Sequence, residues 1–241
     1  MAEEKASGGL FFLGFFLCLG IILASWLVSR AVYSIKAADR YVTVKGLAER
    51  EVDADLVIWP VSFTETGNDL LALYQDINGK QQEIMAFLEE NGISREQISV
   101  NPPEVNDFEA QKYDRGGARR ENRYLAQSVL TVRSSDLARI RAVMARSADL
   151  VRKGIVLTGD EYQNRPEYLF TGLNDIKPAM IEQATRNARL AAEQFARDSG
   201  SSVGTIRTAR QGLFTVADRD RNTPYRKVVR VVTTVDYFLL D

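Results

Sequence analysis

No histidine occurs among the 241 residues, and the single cysteine, Cys18, lies in an apolar run near the N-terminus. The first absence excludes Ser-His-Asp and Cys-His nucleophilic sites, histidine general bases and histidine-ligated zinc, iron or haem. The second leaves the rest of the chain without thiol chemistry, an intramolecular disulfide or an iron–sulfur cluster, so it can fold in an oxidising or a reducing compartment. There is no G-x-x-x-x-G-K-[ST] phosphate loop, and Gly8-Gly9 reads as a flexible entry to the apolar run. A basic surplus is lacking as well. Of 31 Lys and Arg, four (Lys5, Arg30, Lys36, Arg40) precede Tyr41; of 32 Asp and Glu, three do (Glu3, Glu4, Asp39). The remainder is slightly acidic, unlike a nucleic-acid binder. No nucleic-acid partner, metal, cofactor or catalytic residue is expected, and only carboxylate, lysine, serine and tyrosine chemistry is left.

Charge is absent altogether between Lys5 and Arg30, where Leu10 to Val28 form 19 residues of almost pure hydrocarbon character. At about 1.5 Å per residue such a helix matches the roughly 30 Å bilayer core. The run is too long for a cleavable signal peptide; Ser29-Arg30-Ala31 is a passable cleavage tripeptide but carries an arginine, and the leader before the run is acidic with only Lys5 basic. Cys18 follows Phe16-Leu17, so the small residue that a lipoprotein signal needs is missing, and the cysteine reads as one more apolar side chain facing lipid. The expected organisation is a leader at 1–9, a transmembrane helix at 10–28, a stem at 29–40 and one domain at 41–241. Arg30, Lys36 and Arg40 after the helix favour a cytoplasmic domain, but long domains are translocated largely regardless of charge.

Within the domain, Tyr41 to Lys45 alternates as a strand and Gly46 to Asp55 reads as a charged turn. Leu56 to Thr64 reads as a second strand with Val57, Trp59, Val61 and Phe63 on one face. Pro60 places that strand at an edge or a bulge. Asn68 or Asp69 caps a helix carrying Leu70, Leu73, Tyr74, Ile77, Ile84, Phe87 and Leu88, which Asn91-Gly92 ends. Ile98 to Val105 and Tyr124 to Arg133 form a hairpin. Ser135 or Asp136 opens a helix through Leu137, Ile140, Val143 and Met144, stopped by Gly154 before a strand at Ile155 to Thr158. A long helix from Asp175 to Asp198 tolerates Pro178 only in its first turn. Its inner stripe is Met180, Ile181, Ala184, Ala188, Ala191 and Phe195, and the alanines let it lie close to a sheet. Thr205 to Phe214 and Arg226 to Leu240 close the domain around a charged tip, Ala217 to Pro224. The order is ββαββαβαββ, an α+β fold with largely antiparallel sheet.

That order and three local phrases resemble the SIMPL-domain family, the oxidative-stress-defence type of bacterial envelope protein. They are VTVKGLAEREVDADLVIWPVSFTETG, FLEENGISREQISV and KPAMIEQATRNARLAAEQFARDSGSSVGTI. Each is a packing pattern and carries no reactive constellation, so no catalytic residue is implied. The resemblance implies export to the periplasm or surface, which places the domain outside a single-pass inner-membrane anchor, and a role in stress protection.

The expected function is that of a non-enzymatic envelope protein, held in lipid by residues 10–28, that self-associates through unpaired backbone of the Val-rich C-terminal strand and the Pro60 edge. One alternative is a hydrolase drawing a carboxylate pair from Glu65, Glu104, Asp107 and Glu109. Another is a sensor that binds a ligand or peptide and signals through a membrane-protein partner. Arg115, Arg119, Arg120 and Arg123 in the segment Lys112 to Arg123, and the alternating Asp218, Arg219, Asp220 and Arg221, read first as solvated loop tips. Trp59, Tyr237 and Phe238 read as core.

Overall fold

The computed structural model describes residues 14–30, 40–110, 121–159 and 164–240. Of the expected membrane run, 10–13 lie outside them; the rest forms helix α1 over 14–30, exposed at every residue. Among the described residues no helix is long and apolar enough to cross a membrane.

The domain is α+β with two mainly antiparallel sheets. Its elements are β1 (Tyr41–Asp53), β2 (Leu56–Gly67), α2 (Leu70–Glu90), β3 (Ile98–Val100), β4 (Glu104–Asp107), β5 (Tyr124–Ser134), α3 (Leu137–Ala145) and α4 (Ala148–Arg152). Then follow β6 (Glu167–Leu169), α5 (Leu173–Asp198), β7 (Ser202–Gln211), β8 (Thr215–Asp218) and β9 (Arg226–Leu240). One sheet runs β3-β5-β2-β6 with β4 also on β5; the other runs β1-β9-β7 with β8 also on β9. The chain divides into two compact units, one of Glu49–Pro178 with Thr215–Arg230, the other of Met1–Ala48, Ala179–Phe214 and Val231–Asp241.

In the first unit, β2 and β5 pair in unbroken register from Val57↔Ser134 to Gly67↔Tyr124. Alternation sends Val57, Trp59, Val61 and Phe63 to one face, where they meet Leu73, Ile77, Ile84, Phe87 and Leu88 of α2, Leu130 and Val132 of β5, and Ile140 and Val143 of α3. Asp69 caps α2 by accepting from the Leu71 and Ala72 amides at 2.8 and 3.0 Å. Gly92, at φ +81°, turns the chain after it. Pro60 sits without a bulge for a directional reason. The Ser62 carbonyl accepts from the Thr158 amide on the side away from β5, and Pro60, two residues earlier, presents its missing N–H to that same side. There β6 pairs only as far as Ile58, so no ladder bond is lost.

In the second unit, β9 lies between β1 and β7. Ala184, Ala188, Ala192 and Ala196 of α5 are buried, as are Val44, Gly46, Val235 and Tyr237. A Cβ on Gly46 would overlap the Ala184 carbonyl oxygen and stand 2.5 Å from the Ala188 nitrogen, so helix and strand meet backbone to backbone. Asn187 locks the contact by donating to the Leu47 carbonyl at 2.8 Å.

Several boundaries depart from expectation. Gly46 to Asp53 is strand, not turn, because its acids are matched across strands: Glu49 with Arg230 (3.5 Å), Glu51 with Arg219 (3.6 Å), Asp53 with Arg226 (3.6 Å). Pro102 and Pro103 cannot donate, and the expected strand Ile98 to Val105 divides there into β3 and β4. At Ile155 to Thr158 only Leu157 bridges, to Phe63; the third strand of that region is β6. The helix expected from Leu137 to Gly154 breaks after Ala145 into α3 and α4. The α5 helix begins at Leu173, so Pro178 is its sixth residue, past the first turn. Its buried stripe runs through Ala192 and Ala196, leaving Phe195 59% exposed. Trp59 and Tyr237 are core as expected, whereas Phe238 is half-buried beneath the Arg207 guanidinium, 5.9 Å from its ring.

Candidate functional site

Among the described residues, strand β7 has a neighbour on one side only. It pairs antiparallel with β9 from Ser202↔Leu240 to Gln211↔Thr233, and no strand among the described residues lies along its other edge. From Thr205 to Gln211 every residue is exposed, on both faces. The ladder has register shifts between Val203 and Ile206 and between Ile206 and Thr208, then runs regularly from Thr208 to Gln211. Bulges discourage edge pairing, so the regular stretch is the part able to accept another strand. Gly212 donates to the Val232 carbonyl at 2.8 Å. Counting back by twos, Thr208 and Arg210 also face β9, while Ala209 and Gln211 point their N–H and C=O outward. Leu213 follows, 91% exposed.

The same sheet holds a polar row. Asp236 of β9 accepts from Thr43 of β1 at 2.7 Å and from Thr208 of β7. The two hydroxyls hold its carboxyl below the ordinary carboxylate value. Arg207 stacks 4.2 Å from the centre of Tyr41, an arrangement that fixes the bulged end of β7. The Val-rich strand β9, expected to offer unpaired backbone, is flanked by β1 and β7 and has no free edge to give. A strand with valines on alternate positions and neighbours on both sides belongs in the middle of a sheet.

The four carboxylates considered for hydrolysis do not converge. Glu65 is opposite Ala126 and Glu104 opposite Gln127, so alternation puts them on opposite faces of the sheet. Glu65 and Asp107 share a face but belong to strands on either side of β5, on the order of 12 Å apart by strand spacing and rise. Glu65 is ion-paired with Lys80, and Gln81 beside it donates to Ser128 at 2.9 Å. Arg123 takes Asp107 at 2.7 Å and Glu109 at 3.0 Å. Its hydrogen bonds hold the Asp107 carboxyl below the usual range, the reverse of what a general acid needs.

Of the arginine-rich segment, Arg115, Arg119 and Arg120 lie outside the described residues, as do Gly116 and Gly117. Of the second tip, Asp218 is tied to the buried Lys227, and Arg219 to Asp220 at 3.0 Å. Among the described residues no group of His, Cys, Asp and Glu is arranged to hold a metal ion.

Two antiparallel sheets and an alanine-faced helix define an α+β domain. The chain belongs to the SIMPL family, whose description is a protein of unknown function (DUF541) and whose sequence pattern it matches over residues 42–234. No curated protein matches it.

Proposed function

We propose that this chain is a non-enzymatic, membrane-anchored protein of the cell envelope, in which SIMPL domains of successive copies associate along the edge of β7 and serve in stress protection. The observation that carries the reading is the regular, outward-facing stretch Thr208 to Gln211 followed by Leu213. Backbone pairing supplies affinity there and Leu213 supplies an apolar anchor. A second copy is the occupant chosen because every copy is held to one surface by the same leader, which raises its local concentration. The anchor rests on the uncharged run Leu10 to Val28. Its described part bares Phe16, Leu17, Ile22 and Val28 to solvent at 65, 59, 64 and 63%, and such side chains find their partner in lipid. The domain is placed on the periplasmic or outer side.

Light scattering of the full chain in a nonionic detergent tests the reading. An assembly mass is expected, reduced to that of the single chain in Ala209→Pro and in Leu213→Glu, since both changes act on the outer edge and spare the β9 ladder. A single-chain mass for the unaltered protein at high concentration defeats self-association, and full release of the protein from membranes without detergent defeats the anchor.

A further inference from the structure

A cleft of about 760 Å³ opens between the segment leading into β6 and the tip joining β8 to β9. Arg165 stands on one wall, Arg221 and Asn222 on the other, with Tyr168 in the lining. All belong to the unit of Glu49–Pro178 and Thr215–Arg230. Cations nearby are neutralised: Arg219 by Asp220 and Glu51, Arg226 by Asp53, and Lys227 by Asp218, the one acid among the described lining residues. Arg165 and Arg221 have no such counter-ion among the described residues. Glu167, two residues after Arg165, is not among the described lining residues. Behind the lining, Arg141 lies 4.0 Å over the ring of Tyr225, which meets Tyr168 edge-on at 6.2 Å. Among the described residues this third guanidinium has an aromatic face and no acid for a partner, and it adds to the positive field.

The tip that carries Arg221 is held in place. Asp220 accepts from the Asn222 amide at 2.9 Å, the Thr223 amide at 2.8 Å, the Thr223 hydroxyl and Arg219. The hydroxyl and the guanidinium, in that order, keep its carboxyl ionised down to about 2. A turn fastened on both sides of Arg221 fixes the backbone from which that side chain extends.

From this geometry we propose that the cleft binds a phosphate-bearing ligand, gripped from opposite walls by Arg165 and Arg221. A guanidinium matches two oxygens of a phosphate in a planar fork, and two of them balance a doubly charged group, where a single carboxylate would leave one unmatched. The volume suits a ligand larger than one phosphate ion, so the group is the head of a phosphoester or of an anionic phospholipid. The proposal is independent of the pairing of β7.

Calorimetric titration of the full chain in nonionic detergent with inorganic pyrophosphate is one arm, and native mass spectrometry with phosphatidylglycerol is the other. Binding in either arm is expected to weaken at least tenfold in Arg165→Gln/Arg221→Gln. It should be unchanged in Arg50→Gln, an exposed arginine outside the cleft. Pyrophosphate binding lost in the double variant assigns a soluble phosphoester. Phospholipid adducts lost with no pyrophosphate binding assign a lipid head. Binding in neither arm, or binding the double variant retains, overturns the proposal. Both arginines are exposed and have no ion pair among the described residues, so a folding defect is not expected, and an unchanged thermal transition checks this.

Discussion

In the unit built on β2 and β5, the buried groups are large: Trp59, Phe63, Ile77, Ile84, Leu88, Leu130, Ile140 and Leu150. In the unit built on α5, β1 and β9, helix and sheet meet through Ala188 and Ala192 beside Val44, Val235 and Tyr237. The first core is filled by volume. The second is made by proximity, with the α5 backbone against Gly46. A core of large side chains loses contacts when one is trimmed but can relax around the gap; a backbone-to-backbone contact has nothing flexible to move aside.

The largest expected effect follows from that difference. Gly46→Ala drives a methyl into the Ala184 carbonyl and is expected to cost more than about 4 kcal/mol. Hydrogen exchange read by peptide should rise across α5, β7 and the end of β9, with α2 and β5 still protected. Leu130→Ala, fully buried in the other core, is expected to cost about 3 kcal/mol and to raise exchange in β2, β5 and α2 instead. Equal losses of protection in both units from either change would show that volume and proximity are not separate devices here.

The same contrast explains what could be read from the sequence. The period-two row Val57, Trp59, Val61, Phe63 announces its strand and its buried face because the large side chains are themselves the packing. On α5 hydrophobicity misleads. Phe195 ranks above Ala196 on any scale, yet the close approach at Gly46 admits only the small residue and turns the ring outward. The acids of Gly46 to Asp53 looked like a turn because their partners Arg219, Arg226 and Arg230 lie far along the chain. Non-local pairing also concealed the open edge. That β9 is interior and β7 open depends on which strands meet, a matter no local pattern encodes. Arg165 and Arg221 likewise share a cleft only after β6 and the β8–β9 tip are in place.

The smallest expected effect separates the units by pH. Asp236 joins three strands of the proximity-built sheet through Thr43 and Thr208, whereas the bonds of Asp220 close only the turn from Arg219 to Thr223. Both carboxyls sit below the ordinary value of about 4. A depressed folded-state value stabilises fully above the unfolded value, and the benefit disappears as the pH falls through the folded one. Asp236→Ala should therefore lower the thermal transition at pH 7, and the gap from the unaltered protein should narrow as the pH falls below about 4. Asp220→Ala should leave the transition nearly unchanged at pH 7. It should raise exchange only in the β8–β9 tip, with that difference fading between about pH 4 and pH 2. A gap for Asp236→Ala that is constant with pH would mean that the row contributes through packing alone, and that charge does not help to hold β7 to its sheet.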